Sequence, residues 1–122
     1  MNKTMNVTVM NKNNEAVEVT KQVLAGFVSR TNEENGFTTI DVGIETFKDG
    51  EKSVEYVNRI TCGKNSSDAF KKFIREIPKG SKVAIICSVV DTEGKDGKPY
   101  TNRYLDEITV LYRAGTKKAD AQ

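Results

Sequence analysis

Apolar residues recur at alternate positions through most of this chain and are broken at short intervals by turn-forming residues, the pattern of strands joined by hairpins. Met5 to Met10 alternates through Val7-Thr8-Val9, and Asn11-Lys12-Asn13-Asn14 interrupts it, predicting an N-terminal strand and a turn. The pattern resumes from Ala16 to Arg30 with Val17, Val19, Val23, Leu24, Phe27 and Val28. Gly26 inside that run predicts a bulge or a close backbone approach where a long strand bends. After a polar turn at Asn32 to Gly36, Ile40, Val42 and Ile44 fall on one face, and Phe37, Thr39, Asp41, Glu45 and Phe47 on the other. Lys48-Asp49-Gly50-Glu51 closes a hairpin through an Asp-Gly pair, which accepts positive φ, and the next strand runs from about Lys52 to Gly63. There the periodicity groups Val54, Tyr56, Ile60 and Cys62 as the apolar face, which would bury Tyr56.

The period then changes. Phe70, Phe73, Ile74 and Ile77 recur at spacings of three and four, a helical stripe that reads as core, while Lys71, Lys72, Arg75 and Glu76 face water. Ser66 or Ser67 is placed to cap this helix, Asp68 suits its first turn, and Pro78 stops it. From Val83 to Val90 the chain is apolar on both faces. A second Asp-Gly hairpin at Asp96-Gly97 leads into a last strand from about Tyr100 to Tyr112, carrying Leu105, Ile108 and Val110. Beyond Arg113 no large apolar residue anchors the tail, which reads as disordered.

A strand, one helix and a strand inside an otherwise all-β pattern, the segment from Tyr56 to Val83, is the layout of a five-stranded OB-fold Greek-key barrel. The expected organisation is an N-terminal strand or extension over residues 1–16, an OB domain over 17–113 and a tail over 114–122, with the helix between barrel strands 3 and 4. A chain of 122 residues with 37% hydrophobic content closes one modest core. The opening residues lack an apolar signal region, and no apolar run approaches membrane-spanning length, so a soluble cytoplasmic protein without a membrane partner is expected.

Candidate chemistry narrows by exclusion. The chain has no histidine, and Cys62 and Cys87 lie in separate apolar runs, so a metal site lacks ligands and reduced thiols are expected. The carboxylates are scattered over polar faces and turns, and Gly94-Lys95-Asp96-Gly97-Lys98 has the wrong spacing for a phosphate loop, so neither an enzyme nor a cofactor is expected. Binding fares better. The net charge is only +2, yet between Arg59 and Lys82 seven basic residues stand against two acidic ones. Phe47, opposite the Ile40 face and beside Lys48, suits base stacking, with a subunit interface or a cover for the turn as the alternative. Phe27 stays open between core and site, and Tyr112 reads as packing. Asp41, Glu45, Glu51 and Glu55 surround these aromatics and oppose a backbone-tracking groove.

The chain resembles the OB-fold single-stranded DNA-binding proteins of bacteria and bacteriophages. The likeness covers about residues 17 to 113: Val23-Leu24-Ala25-Gly26-Phe27-Val28, then Tyr56-Val57-Asn58 to Gly63-Lys64 and the helix, Lys79-Gly80-Ser81-Lys82-Val83, Lys95-Asp96-Gly97-Lys98-Pro99-Tyr100 and Asp106-Glu107-Ile108. It is greatest toward the short proteins of phages infecting Gram-positive bacteria. The resemblance implies stacking by Phe47 and Tyr56, which turns Tyr56 outward against the bare periodicity. It further implies a polar contact from Asn58 and a basic one from Lys64, with Lys98 and Tyr100 in a hairpin reaching over the strand. Arg30 and Lys48 complete the expected phosphate contacts, and the implied assembly is a homotetramer, supported by an apolar outer face of Ala84, Ile86 and Val90. Cys62 stands where the family usually has an aromatic, tryptophan is absent, and Val90 and Thr92 occupy a region usually more basic and aromatic. Arg59 replaces a small or apolar residue expected to point inward, and the family's acidic tail for recruiting replication and repair enzymes is missing.

The expected function is sequence-independent binding and protection of single-stranded DNA during replication, recombination or repair, in the host cytoplasm if phage-encoded. Two other classes stay open at this point: an RNA-binding OB module, and a protein-interaction OB domain of primosomal type.

Overall fold

The strands are longer than their apolar runs because hairpin pairing extends them past the core. In a computed structural model, which describes residues 1–63 and 66–115, the order is β1 (Asn2–Met10), β2 (Ala16–Glu34), β3 (Phe37–Lys48), β4 (Glu51–Cys62), α1 (Asp68–Arg75), β5 (Lys82–Glu93) and β6 (Pro99–Tyr112). Neighbours run β1-β2-β3-β4-β6-β5, and a further β2–β5 pairing closes five of the six strands into a ring. Among the described residues only the β4–β6 pairing is parallel, over Ile60–Cys62 and Arg103–Leu105. This is the expected OB barrel, with β1 added outside the ring along the first half of β2.

Its core is aliphatic. Leu24, Val28, Ile40, Val42, Ile44, Val57, Ile60, Val83, Ile85 and Leu105 fill it from the strands, and Cys62 and Cys87 are buried among them as free thiols. β-branched side chains suit a pleated inner face, and each fully buried one contributes roughly 1.5–3 kcal/mol. The helix caps one end. Ser67 is its N-cap, accepting the Phe70 amide at 3.1 Å, and Ile74 and Ile77 carry the stripe inward. Phe70 packs on the core, but Phe73, read above as core, is 39% exposed. An eight-residue helix turns only a narrow stripe inward, which Ile74 and the half-buried Phe70 occupy, while Ile77 is buried just beyond the Glu76 C-cap.

Glycines and bulges set the strand paths. The close approach expected at Gly26 is present: a Cβ there would meet the Gly43 carbonyl oxygen at 2.1 Å. The β2 bulge lies further on, between Val28 and Arg30. The polar stretch from Asn32 is paired strand as far as Glu34, and the turn is Asn35-Gly36, with φ of 53° and 82°. Asp49-Gly50 turns as predicted, at 54° and 79°. At the other end of the chain, Ala114 donates its amide to Ser81 Oγ at 2.9 Å; most of the segment read as a disordered tail lies outside the described residues.

Among the described residues no helix is long and apolar enough to cross a membrane, and no group of three or more acidic, Cys or His side chains is placed to hold a metal.

Candidate nucleic-acid interface

The chain has five phenylalanines and four tyrosines, and none belongs to the fully buried core. Phe27 and Phe70 are half-buried, while Phe37, Phe47, Tyr56, Phe73, Tyr100, Tyr104 and Tyr112 are exposed. Aromatic rings carry the largest apolar area of any side chain and ordinarily anchor cores. Here the fully buried interior is aliphatic, and of these rings Phe70 packs against it from the helix.

Two of these rings, with a glycine between them, make one row across the outer face. Phe27 on β2 stands opposite Gly43 on β3, and Gly43 opposite Tyr56 on β4. The absence of a side chain at Gly43 lets the Phe27 ring lie across it, since a Cβ there would fall 2.4 Å from Phe27 Cζ. The ring then meets Tyr56 edge to face, with centroids 6.5 Å apart at 86°. Tyr56 is 56% exposed, on the side implied by resemblance and against simple alternation. Four residues further along β3, on the same face and about 13 Å away by strand rise, stands Phe47, 73% exposed beside the turn that carries Lys48. Between them Glu45 pairs with Lys52 at 3.1 Å, so that one of the opposing carboxylates has a local counter-charge.

A bulge explains the phase of β4. Val42 pairs with Val57 and Ile40 with Ile60, so Asp41 alone faces both Asn58 and Arg59. Arg59 takes φ 59°, and its amide donates to Asp41 Oδ1 at 2.7 Å. The extra residue resets alternation: Val57 and Ile60 both point inward, and Arg59, expected to point inward, is exposed. The β2 bulge faces the same Asp41 from the other side, where Arg30 is its partner. Two clefts share the resulting wall. One of about 240 Å³ is bounded by Arg30, Asn32, Thr39, Asp41, Asn58 and Arg59. The other, about 430 Å³, runs along β4 and β6 past Phe37, Asn58, Arg59, Tyr100, Arg103 and Tyr104. Tyr100 is held there by its own hairpin: its ring packs on Gly94 and its hydroxyl donates to Asp96 Oδ2 at 3.0 Å.

A directional hydrogen-bond chain links β6, β2, β1 and β4. Arg103 Nε donates to Gln22 Oε1 at 2.8 Å, Gln22 Nε2 to Asn2 Oδ1 at 2.8 Å, and Asn2 Nδ2 to Glu55 Oε1 at 3.1 Å. It runs from a guanidinium to a carboxylate, so every amide is oriented by a charge at one end. The buried thiols take no part in the surface: burial pushes both Cys62 and Cys87 up, against smaller opposing effects of Lys71 on the first and of Arg103 and Lys21 on the second.

Of the residues singled out in the sequence, Tyr56 and Phe47 share the outer face of β3 and β4, Asn58 joins both clefts, Arg30 borders one and Tyr100 the other. Lys48 and Lys98 are exposed at hairpin tips and border neither cleft, and Lys64 lies outside the described residues. The basic helix face stands apart, with Arg75 paired to Glu33 on the β2–β3 hairpin. Sequence reasoning missed Arg59, Arg103, Tyr104 and the cleft position of Phe37. Alternation alone placed Phe37 outward, whereas nothing in the pattern announces the Arg59 bulge.

No protein-family model matches the chain, and no curated protein matches it. Solved structures do. A crystal structure of the mitochondrial single-stranded DNA-binding protein Rim1 from S. cerevisiae (form 2) superposes with a TM-score of 0.56 at 19% identity, covering 80% of this chain and 100% of that one. The selenomethionine-labelled form gives 0.62 at 16% identity, covering 77% and 96%. A further form gives 0.53 at 14%, covering 79% and 97%. Across almost the whole length of those proteins, this chain has the OB fold of mitochondrial single-stranded DNA-binding proteins.

Proposed function

We propose that this protein binds single-stranded DNA without sequence preference, through the outer face of β3 and β4 and the β4–β6 cleft. The observation that carries the reading is the exclusion of every aromatic ring from the fully buried core, with Tyr56 and Phe47 left on the outer face of β3 and β4 and Tyr100 and Phe37 in the cleft that Arg59 also lines. Every base has a π-face, so exposed rings hold a strand of any sequence, each contributing about 1–3 kcal/mol, while cations follow the phosphates. The similar solved structures, all of single-stranded DNA-binding proteins, support the same reading. Lys64 and Lys98 join as phosphate contacts.

Residues 17–113 form the binding unit in this reading, and residues 1–16 an extension of its sheet. The exposed apolar residues of β1 and β5, Met5, Val9 and Val90, support self-association, and the resemblance makes a homotetramer the expected assembly. Coating of replication or recombination intermediates, phage-encoded and in the host cytoplasm, is the role that fits. Binding, not catalysis, is its activity.

Fluorescence anisotropy with labelled oligo-dT tests this directly. Affinity should fall steeply with salt, and duplex DNA should compete poorly. Equal affinity for duplex overturns the single-strand assignment, tighter binding of the matching RNA replaces it with an RNA module, and no binding at low salt leaves a protein-interaction domain.

A further inference from the structure

The aromatic row continues past Phe27, away from β4. A groove of about 350 Å³ opens on that side, bounded by Gly26, Phe27, Glu45, Lys82, Val83 and Leu111. Lys82 pairs with Phe27 across the β2–β5 junction, and its ammonium stands over the Phe27 ring, 5.8 Å from the centroid. A bulge builds the far wall: Lys82 pairs with Tyr112 and Val83 with Val110, so the intervening Leu111 is extra and is turned outward, 63% exposed. The charges are uneven. Glu45 is engaged with Lys52, whereas Lys82 makes no ion pair among the described residues.

We propose that this groove takes a further nucleotide of a bound single strand, its base against Phe27 and Leu111 and its phosphate on Lys82. The inference rests on the single-stranded DNA reading and extends the contact path from Tyr56 across β2 to the β5–β6 edge. Two features select a nucleic acid. The groove is continuous with Tyr56 through an edge-to-face pair, so a strand stacked on Tyr56 meets Phe27 next. Its apolar floor is joined to one uncommitted cation, the combination that a base with its phosphate requires and that a purely apolar partner does not. A second copy of this chain seated on Leu111 is the competing occupant.

The test compares wild type with Lys82→Gln, Phe27→Leu and Leu111→Gln in oligo-dT titrations over a range of salt, with sedimentation to obtain the mass. Leucine retains an apolar group over Gly43. Lys82→Gln should make the slope of log affinity against log salt less negative by about 0.7, the share of one single-strand phosphate contact. Phe27→Leu should weaken binding by about tenfold. Wild-type slope in Lys82→Gln overturns the proposal, even where Phe27→Leu folds poorly. A Leu111→Gln variant that changes mass but keeps its affinity does the same by assigning the groove to a subunit interface. If the wild-type chain fails to bind oligo-dT, the parent reading falls too; if wild type binds and the variants match it, only the groove falls.

Discussion

Asp41 holds Arg59 in a left-handed backbone conformation by accepting its amide on Oδ1 at 2.7 Å. That conformation costs a side-chain-bearing residue roughly 1–2 kcal/mol, and a carboxylate acceptor offsets a cost of that size. Arg59→Gly should therefore be no less stable than wild type in urea unfolding, while Asp41→Ala should lose about 1–2 kcal/mol. Arg59→Val, a β-branched residue at positive φ, should lose at least as much. Arg59→Gly should nonetheless bind single-stranded DNA more weakly, because it removes a cation from both clefts.

This bulge also marks where the sequence stops being legible. Periodicity located all six strands and the helix, narrowed its cap to Ser66 or Ser67 and turned Phe47 outward, because each of these follows from a local run with a period of two or 3.6. Tyr56 was misplaced by alternation because it sits on one side of a phase reset and Ile60 and Cys62 on the other. A reset of one residue leaves no compositional trace when the extra residue is Arg rather than Gly. Phe73 failed for a different reason: spacing sees a stripe but not how much of it an eight-residue helix turns inward. The β4–β6 cleft joins residues more than 40 positions apart across the parallel pairing, which no local pattern encodes.

Gly26 lies against the Gly43 carbonyl, yet substitutions at the two glycines should differ in kind. A Cβ at Gly26 meets a backbone carbonyl at 2.1 Å, which can move only by parting β2 from β3. A Cβ at Gly43 meets the tip of the Phe27 ring, which can swing away. Gly26→Ala should cost several kcal/mol or abolish folding, whereas Gly43→Ala should fold, with a loss of about 1–3 kcal/mol. By displacing Phe27 from Tyr56 it should also weaken DNA binding. Thermal melts followed by anisotropy separate the two effects.

Gln22 ties Arg103 to Asn2 from a position only 7% exposed. Gln22→Leu fills the space but strands a guanidinium N–H and an amide oxygen, and should cost about 2 kcal/mol in urea unfolding. Gln22→Glu keeps the acceptor for Arg103 and loses only the donor to Asn2, so its loss should be smaller. Equal losses would mean that volume rather than hydrogen bonding sets the cost.

The two buried thiols make stability fall in alkali. Both are pushed above their ordinary range by burial, so they stay protonated in the native barrel while an unfolded chain ionises them near about pH 8.5. Above that pH the unfolded state binds fewer protons than the native one, and unfolding becomes progressively easier until the native thiols themselves ionise. The contribution is absent below it. A Cys62→Ala, Cys87→Ala double variant should show a flatter decline in urea midpoint between pH 8 and 10 than wild type, although its midpoint at pH 7 will be lower because the cavities cost stability.

Phe47 and Tyr56 separate binding from folding most cleanly. Phe47 is the more exposed and touches no other aromatic ring, so Phe47→Ala should leave the melting temperature almost unchanged and weaken oligo-dT binding by about fivefold to 150-fold, the equivalent of 1–3 kcal/mol. Tyr56 also supports Phe27, an edge-to-face contact of about 0.5–1.5 kcal/mol, so Tyr56→Ala should lose both affinity and a modest amount of stability. Tyr56→Phe preserves the ring and should restore both. A Tyr56→Ala variant that melts unchanged and binds like wild type would remove Tyr56 from the interface and leave the strand to the β4–β6 cleft, where Tyr100 and Tyr104 become the rings to test.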